Sequence, residues 1–363
     1  MTHLELFAGI GGFRRAIDLI GKDLHIPIKC VGYSEIDSKA VQTYQACYSP
    51  KDDEKAIGDI VAFTAKKSNI RSLPNFDILT GGFPCQTFSM MGKQAGFGEE
   101  RGQMFFRIMD ILNVKKPKYV LLENVKNLVN HDGGNTFKRI VAELEWLGYS
   151  VYYDVFDTAD FHLPQKRNRI VIFATRTQLK KKPLKEFSAE NVKDLFEQDY
   201  KKLSVPRYKN VCGVLSKKVD AKYFLSERIK PTLLSNGSAG FRSKSDINQI
   251  VARPLTATMH KMHRACQDNY YSQDFIESNG KINPVNTLSK DELAKLQIRK
   301  LTPEEAFMLQ GFPSDFALKG RQKGVADGAL YKQAGNAVSV NTIYAVLYFL
   351  IKNNYMEVQH EKN

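Results

Sequence analysis

The chain has 363 residues, of which 43% are hydrophobic and 25% charged, the balance of a globular protein with room for one large domain and a smaller one. It carries 53 Lys and Arg against 39 Asp and Glu, a formal net charge of +14. That surplus disfavours polycationic partners and points first to nucleic acid.

In chain order, short apolar runs predict strands at 3–7, 29–33, 76–80, 119–123, 149–156 and 170–174. Helical patterns fall between them at 12–20, 37–47, 103–112 and 135–147. Such alternation argues for an α/β parallel sheet covered on both faces. The texture then changes. From 176 to 231 there are 15 Lys and Arg against seven Asp and Glu, with little periodicity. Gly, Ser and Asn gather in LLSNGSAGFRSKS, followed by the basic, amide-rich and aromatic HKMHRACQDNYYS. A helix start returns at LTPEEAFMLQGFP, where Thr302 and Glu305 have capping-box spacing, and 336–352 reads as one apolar helix.

The five cysteines, at 30, 47, 85, 212 and 266, form no CxxC pair and no zinc spacing, so no metal site is expected and the thiols read as free in a reducing cytoplasm. The start, MTHLELFAG, has no signal-peptide pattern. The longest apolar run, 343–351, is too short to span a bilayer, so no membrane partner is expected.

Three stretches carry chemistry. LFAGIGG follows the first strand and opens the first helix, where glycines let a ligand approach the backbone. Gly9 and Gly11 fit a dinucleotide fingerprint, but Arg14 occupies its third glycine position. Glu35 stands where an acid can hold ribose hydroxyls, and Asp59 where a third strand could end and meet an adenine amine. Two acids suit a nucleoside without phosphates, such as S-adenosylmethionine. GGFPCQTFS puts Cys85 on a rigid turn after a strand, a setting for a nucleophile rather than a buried thiol. LLENV places Glu123 and Asn124 at a strand's end, and PQKRNR places Arg167 and Arg169 on one face of the next. Together a thiol, a carboxyl and a guanidinium could grip a pyrimidine.

Taken in order, FAGIGG, SEID, GDI, GGFPCQTFS, RGQMFF, ENV, PQKRNR, RKLTPEEAFMLQGFP and YKQAGNAVSV resemble the DNA (cytosine-5)-methyltransferase family along nearly the whole chain. The resemblance implies a Rossmann-like mixed α/β sheet with a smaller, irregular target-recognition domain. The expected division is 1–178 for catalysis and cofactor, 179–298 for target recognition, and 299–363 for a return to the catalytic domain. It implies that Cys85 attacks C6 of a flipped-out cytosine, that Glu123 holds N3 and the N4 amine, that Arg169 meets O2, and that Arg167 orients the site. The cofactor would be S-adenosylmethionine. It would lie against Phe7, Gly9, Ile10, Gly11, Gly12, Glu35, Ile36, Asp59, Ile60, Pro84, Met104 and Asn336. Double-stranded DNA would be met by Gln86, Ser89 and the 89–101 loop. In the basic region Arg242, Lys244, Lys261, His263 and Arg264 are the main candidates, with His260, Gln267, Asn269, Tyr270 and Tyr271 beside them. The reading is of a monomeric prokaryotic or phage modification enzyme, with any cognate restriction endonuclease acting separately. Two positions depart from the family pattern: His162 stands where a glycine is usual, and Thr256 is followed by Ala257 rather than Leu. A transfer-RNA methyltransferase of the same fold and a catalytically silent DNA-binding relative stay open. A nicotinamide oxidoreductase is disfavoured by Arg14.

Overall fold

The computed structural model describes residues 1–84, 104–177, 187–235, 244–261 and 263–359. Cys85, Gln86, Ser89, the 89–101 loop and Arg242 lie outside the described residues. Seven strands form the central sheet: β1 (Thr2–Leu6), β2 (Lys29–Ser34), β3 (Lys55–Ala56), β4 (Ile78–Gly82), β5 (Tyr119–Val125), β6 (Ser150–Asp157) and β7 (Asn168–Thr175). Their spatial order is 3-2-1-4-5-7-6. The first five are parallel, whereas β7 runs antiparallel to both β5 and β6. The all-parallel expectation from strand-helix alternation is thus corrected at one side. The connection 158–167 holds only a 3-10 turn, too short for the crossover that a parallel return needs. The mixed sheet is the one the family resemblance implies.

Side chains alternate along each strand and sort into two cores. Leu4, Leu6, Val120, Leu122, Ile170 and Ile172 face α3 (Ile60–Thr64), α4 (Lys67–Ser72), α5 (Met104–Lys115) and α6 (Asn135–Trp146). On the other side α1 (Gly12–Leu24) packs against the C-terminal helix, and Tyr119, Leu121, Val171 and Phe173 join them. Burying each such Leu or Phe contributes roughly 1.5–3 kcal/mol before chain entropy is counted. Helix α2 (Ser38–Tyr48) begins at Asp37, whose side chain accepts from the N–H groups of Lys39 and Ala40.

The second half is less regular. Helix α7 (Ala189–Asp199) packs on β6 and the C-terminal helix, with Val192 and Phe196 in the sheet's core. Short helices α8 (Lys230–Leu234), α9 (Gln273–Glu277) and α10 (Lys290–Ala294) accompany a two-stranded pair, β8 (Tyr270–Ser272) and β9 (Ile298–Lys300). Leu225, Leu233, Leu234, Ile247, Tyr270 and Ile298 form a small core of their own. Then come α11 (Pro303–Leu309), opened by the Thr302/Glu305 capping box, α12 (Ser314–Gln322), α13 (Asp327–Asn336) and α14 (Val340–Lys352). Glu305 also takes a buried two-pronged ion pair from Arg299, at 2.7 and 2.9 Å, which ties β9 to α11.

The helix expected over 336–352 begins four residues later, as α14, and Asn336 instead ends α13. Ala337 is extended, and Ser339 caps α14 through the N–H of Thr342. The break frees carbonyls at the end of α13, and these prove central to the site. Residues Asp327–Lys352 are together long and apolar enough to cross a membrane by composition, but 94% of the most apolar window is buried within the protein.

Candidate active site

The C-terminal ends of β1, β2, β4 and β5 meet the start of antiparallel β7 at one edge of the sheet. Ligands of open α/β sheets bind at such an edge. One half is built from backbone. Phe7 (φ 53°), Gly9 (φ 55°) and Gly11 (φ 79°) take left-handed conformations that turn β1 into α1. A Cβ on Gly9 would meet nothing within 4 Å, so this glycine faces open space. A Cβ on Gly11 would lie 2.4 Å from the Tyr48 ring, and one on Gly12 would lie 2.5 Å from Val338. Those two glycines allow close packing instead. Ile10 is buried in the core and offers the site only its backbone.

Glu35 follows β2 and is satisfied by three backbone donors. Oε2 accepts from Gly9 N–H at 2.8 Å, and Oε1 from Ile36 and Asp37 N–H at 2.9 and 2.8 Å. Beside it Ile36 is 77% exposed, an apolar side chain with no cover of its own. Asp59 differs from expectation. Strand β3 stops at Ala56, and Asp59 is the N-cap of α3, its Oδ1 accepting from Val61 N–H at 2.8 Å. The Ile60 side chain is buried in the core, so only its backbone N–H is available, at the first position of the helix. Pro84 is exposed and Met104 half-buried. Asn336 is exposed at the end of α13. Helix α13 is braced against α2 by Lys332–Asp37 at 2.7 Å and by Thr43 Oγ1 donating to Gln333 Oε1 at 3.0 Å.

Open space at Gly9, an anchored carboxylate and exposed Ile36 fit a nucleoside whose sugar hydroxyls donate. They do not fit a pyrophosphate. Buried Glu5 already accepts from Arg14 N–H at 3.3 Å in the first turn of α1, where a dinucleotide phosphate would bind. Arg14 itself turns inward to Tyr44 and Glu54.

The other half is built from buried charge. Glu123 is 8% exposed near the end of β5, and Arg169 Nε lies 3.0 Å from its Oε1. The guanidinium N–H is not aimed at that oxygen, which is left buried without a hydrogen bond. Burial raises the Glu123 pKa above the carboxylate range, while Arg169 and Arg167 oppose the rise. Arg167 is 2% exposed and donates to the carbonyls of Leu255, Gly335 and Ala337 at 3.0, 3.1 and 2.9 Å. Two of these are the carbonyls freed by the break after α13. Burial, with Arg169 nearby, brings Arg167 down to about 9. It therefore clamps three chain segments through both terminal nitrogens.

Three contributors had no role assigned from sequence. Asn124 donates from Nδ2 to the Phe83 carbonyl at 2.8 Å and so holds the chain that leads to Cys85. Gln165 is fully buried, accepts from Leu255 N–H and donates to the Leu309 carbonyl, both at 2.9 Å. A Cβ on Gly335 would lie 2.3–2.4 Å from the backbone of Thr256 and Ala257, so only glycine admits this approach. The motifs ENV, PQKRNR and YKQAGNAV marked the neighbourhoods, but polarity alone did not separate anchors from ligands.

The two departures also resolve. His162 adopts the left-handed φ of 58° that a glycine would take. Its ring stacks on Tyr200 at 4.7 Å, and Nε2 lies 3.0 Å from Glu197. Contacts with α7 thus hold a strained backbone. The Thr256–Ala257 register is fixed by Gly335 and by Ala252, which pairs with Pro164 and Lys166.

Among the DNA candidates, Lys244 is exposed near Asp246 (3.2 Å), and Lys261 and Arg264 are exposed. His263 is half-buried, 3.3 Å from the Tyr270 hydroxyl. Asn269, Tyr270 and Tyr271 are corrected: all three are buried, Asn269 spends both amide atoms on Arg253, and both tyrosines lie in β8. Packing rather than base contact explains them.

The sequence profile of the C-5 cytosine-specific DNA methylases matches residues 1–352. The chain belongs to that family. It is 36% identical over 94% of its length to the Type II methyltransferase M1.ScrFI of Lactococcus lactis subsp. cremoris, covering 76% of that protein. It is 34% identical to M.NlaX of Neisseria lactamica, with 94% of each chain covered. Among solved structures, the fold is similar to the S. pombe Dnmt2 methyltransferase (TM-score 0.74, 19% identity, 98% of this chain and 100% of that one). It is also similar to the Entamoeba histolytica methyltransferase EhMeth (TM-score 0.72, 19% identity, 98% and 99%). The activity is methylation of DNA cytosine at C5, with S-adenosylmethionine as the methyl donor.

Proposed function

We propose that this enzyme methylates one cytosine within a fixed DNA sequence, using Cys85 as nucleophile and Glu123 and Arg169 as its grip on the base. The observation that carries the reading is the Glu123 carboxyl. It is buried, raised in pKa, and keeps an unbonded oxygen 3.0 Å from Arg169 at the edge where β4 leads to Cys85. C5 of cytosine is a weak nucleophile. A Cys85 thiolate adding at C6 makes C5 electron-rich, and Glu123, sharing a proton with N3 and accepting from N4, favours that adduct. Arg169 meets O2. Arg167 positions the start of β7 through its three carbonyls. When bound, S-adenosylmethionine supplies a methyl group activated by its positive sulfur. Glu35 takes the ribose, Ile36 lies against the adenine, Asp59 and the Ile60 N–H meet its edge, and Gly9 leaves room for the chain. Loss of the C5 proton then lets the Cys85–C6 bond break.

The target base leaves the duplex, at roughly a few kcal/mol, because its ring is inaccessible when stacked. Residues 179–298 would recognise the sequence, flanked by 1–178 and 299–363. Lys244, Lys261, His263, Arg264 and Arg242 meet DNA there, and Gln86 and Ser89 meet it beside the target. The relatives' description as Type II methyltransferases supports a modification enzyme of a restriction-modification system. It would act in the cytoplasm as a monomer, with a cognate endonuclease working separately. A duplex carrying 5-fluorocytosine at the target blocks loss of the C5 substituent. With the methyl donor present, the wild-type protein should form a denaturation-resistant complex with it, and Cys85→Ser should not. Trapping by Cys85→Ser would remove Cys85 from its assigned role.

A further inference from the structure

Among the described residues, three cations beside α13 have carboxylate partners. Lys222 Nζ is 2.9 Å from Asp327, Arg321 Nη2 is 2.9 Å from the same carboxylate, and Lys332 Nζ is 2.7 Å from Asp37. Lys300, which ends β9, has no carboxylate partner among the described residues. Its side chain is half-buried, with the ammonium 5.5 Å from the centre of the Tyr331 ring. Burial lowers its pKa, and the field of Asp327 only partly offsets this. The Asp327 oxygens already serve Lys222, Arg321 and the Tyr223 hydroxyl. A partly dried ammonium without its own anion is costly to hold, and an incoming anion relieves that cost.

Two imidazoles lie beside Lys300. Tyr270 sits directly across from Lys300 in the β8–β9 pair, and its hydroxyl lies 3.3 Å from His263 Nδ1. His260 packs on Gly328, its Cδ2 3.3 Å from the position of a Cβ there. The chain 256–260 thus runs along α13 from Gly335 back to Gly328, bringing both histidines toward Lys300. Burial lowers the pKa of both imidazoles, helped by the charges of Lys261 and Lys300 at His260 and of Lys300 at His263, so both rings favour the neutral form, which still donates one N–H. Tyr331 precedes Asn336, at the catalytic edge, by five helical residues, or about 7–8 Å along the axis. That is within roughly two nucleotides of one DNA strand.

We infer that Lys300, flanked by His260 and His263, seats a backbone phosphate of the DNA next to the site of base extrusion. This rests on the proposed placement of the target base at the Glu123 edge. An ammonium is a point charge, suited to a phosphate and poor at telling bases apart. Lys300 belongs to the 299–363 segment, so this anchor lies outside the proposed recognition segment and would fix register without reading sequence.

The test is duplex binding across a salt series for the wild type, Lys300→Met, Lys300→Arg and, at the opposite edge of the sheet, Lys29→Met. Methionine keeps the apolar stem over Tyr331, and a melting curve confirms the fold. Lys300→Met should weaken cognate and unrelated duplexes alike. It should lower the slope of log affinity against log salt by about 0.9, so that between 50 and 200 mM salt it loses about 3.5-fold less affinity than the wild type. Lys300→Arg should keep the wild-type slope, as should Lys29→Met. An unchanged slope in Lys300→Met overturns the anchor. So does a loss confined to the cognate duplex, which would make Lys300 a base reader, or a raised KM for S-adenosylmethionine with DNA binding intact. Failure of the underlying placement looks different: the 5-fluorocytosine complex would still form after Glu123→Gln and Arg169→Met at the wild-type rate.

Discussion

Glu35 and Glu123 are the same side chain in matching places, each at the C-terminal end of a parallel strand, yet they are surrounded in opposite ways. Glu35 is half-exposed, and three backbone N–H groups donate to its carboxylate oxygens. Glu123 is buried, has guanidinium neighbours that do not satisfy it, and is raised in pKa by its burial. The first arrangement suits steady binding of neutral hydroxyls. The second suits a group that must share a proton during reaction. The sharpest way to break the contrast is Glu123→Gln. It keeps size and an acceptor but cannot trade a proton. We expect kcat to fall by about 10²–10⁴ with cofactor affinity unchanged, read by steady-state kinetics beside a cofactor titration. An equal fall in cofactor affinity would mean the two glutamates form one site, not two.

The reciprocal change has a smaller effect of a different kind. In Glu35→Gln, one oxygen becomes an NH2 facing a backbone donor, either Gly9 N–H or the Ile36 and Asp37 pair. Losing a charge-assisted hydrogen bond costs about 1.5–3 kcal/mol, which raises the cofactor KM roughly 10- to 150-fold while leaving kcat close to wild type. A drop in kcat at saturating cofactor would contradict a purely binding role.

The two halves also differed in how far the sequence revealed them. The glycine loop, Glu35, and the placement of Glu123 and Arg169 were legible, because packing alone seldom puts glycines straight after an apolar strand or charges at strand ends. The six expected strands were found to within two residues at every boundary, since β5 and β7 are buried on both faces and read as continuous apolar runs, whereas the short strands β3, β8 and β9 carried no such signal. The break at Ala337 was hidden, because Ser339 sits inside an apolar run and the carbonyls it frees are claimed by Arg167, distant in sequence. For the same reason Asn269, Tyr270 and Tyr271 read as DNA contacts. Amides and phenols suit both nucleic acid and a small polar core, and only the Asn269–Arg253 pairing and the β8–β9 ladder separate the two. His162 shows the limit from the other side: a glycine position can be filled by a residue that docks elsewhere.

A third glutamate isolates the cost of burial from function. Glu5, inside β1, is fully buried, with Oε1 held by Arg14 N–H and Oε2 without a hydrogen bond. Burial lifts its pKa to about 8 from 4.5, against the pull of the Arg14 N–H and charge. Between those values the folded chain keeps a proton that the unfolded chain releases. Its contribution to stability is therefore fully present below about pH 4.5 and falls as pH rises, by up to about 1.4 kcal/mol per pH unit, until the folded pKa is passed. Gln at this position accepts the same N–H and cannot ionise. Urea melts of wild type and Glu5→Gln should coincide near pH 4.5 and separate steadily toward pH 8, with the variant more stable. His3 and Asp18 titrate in both proteins, so taking the difference between the two curves removes them. Parallel curves would show that Glu5 is already ionised and held by Arg14. Burial would then be too weak a cause for the raised Glu123, whose guanidinium neighbours already pull its pKa down.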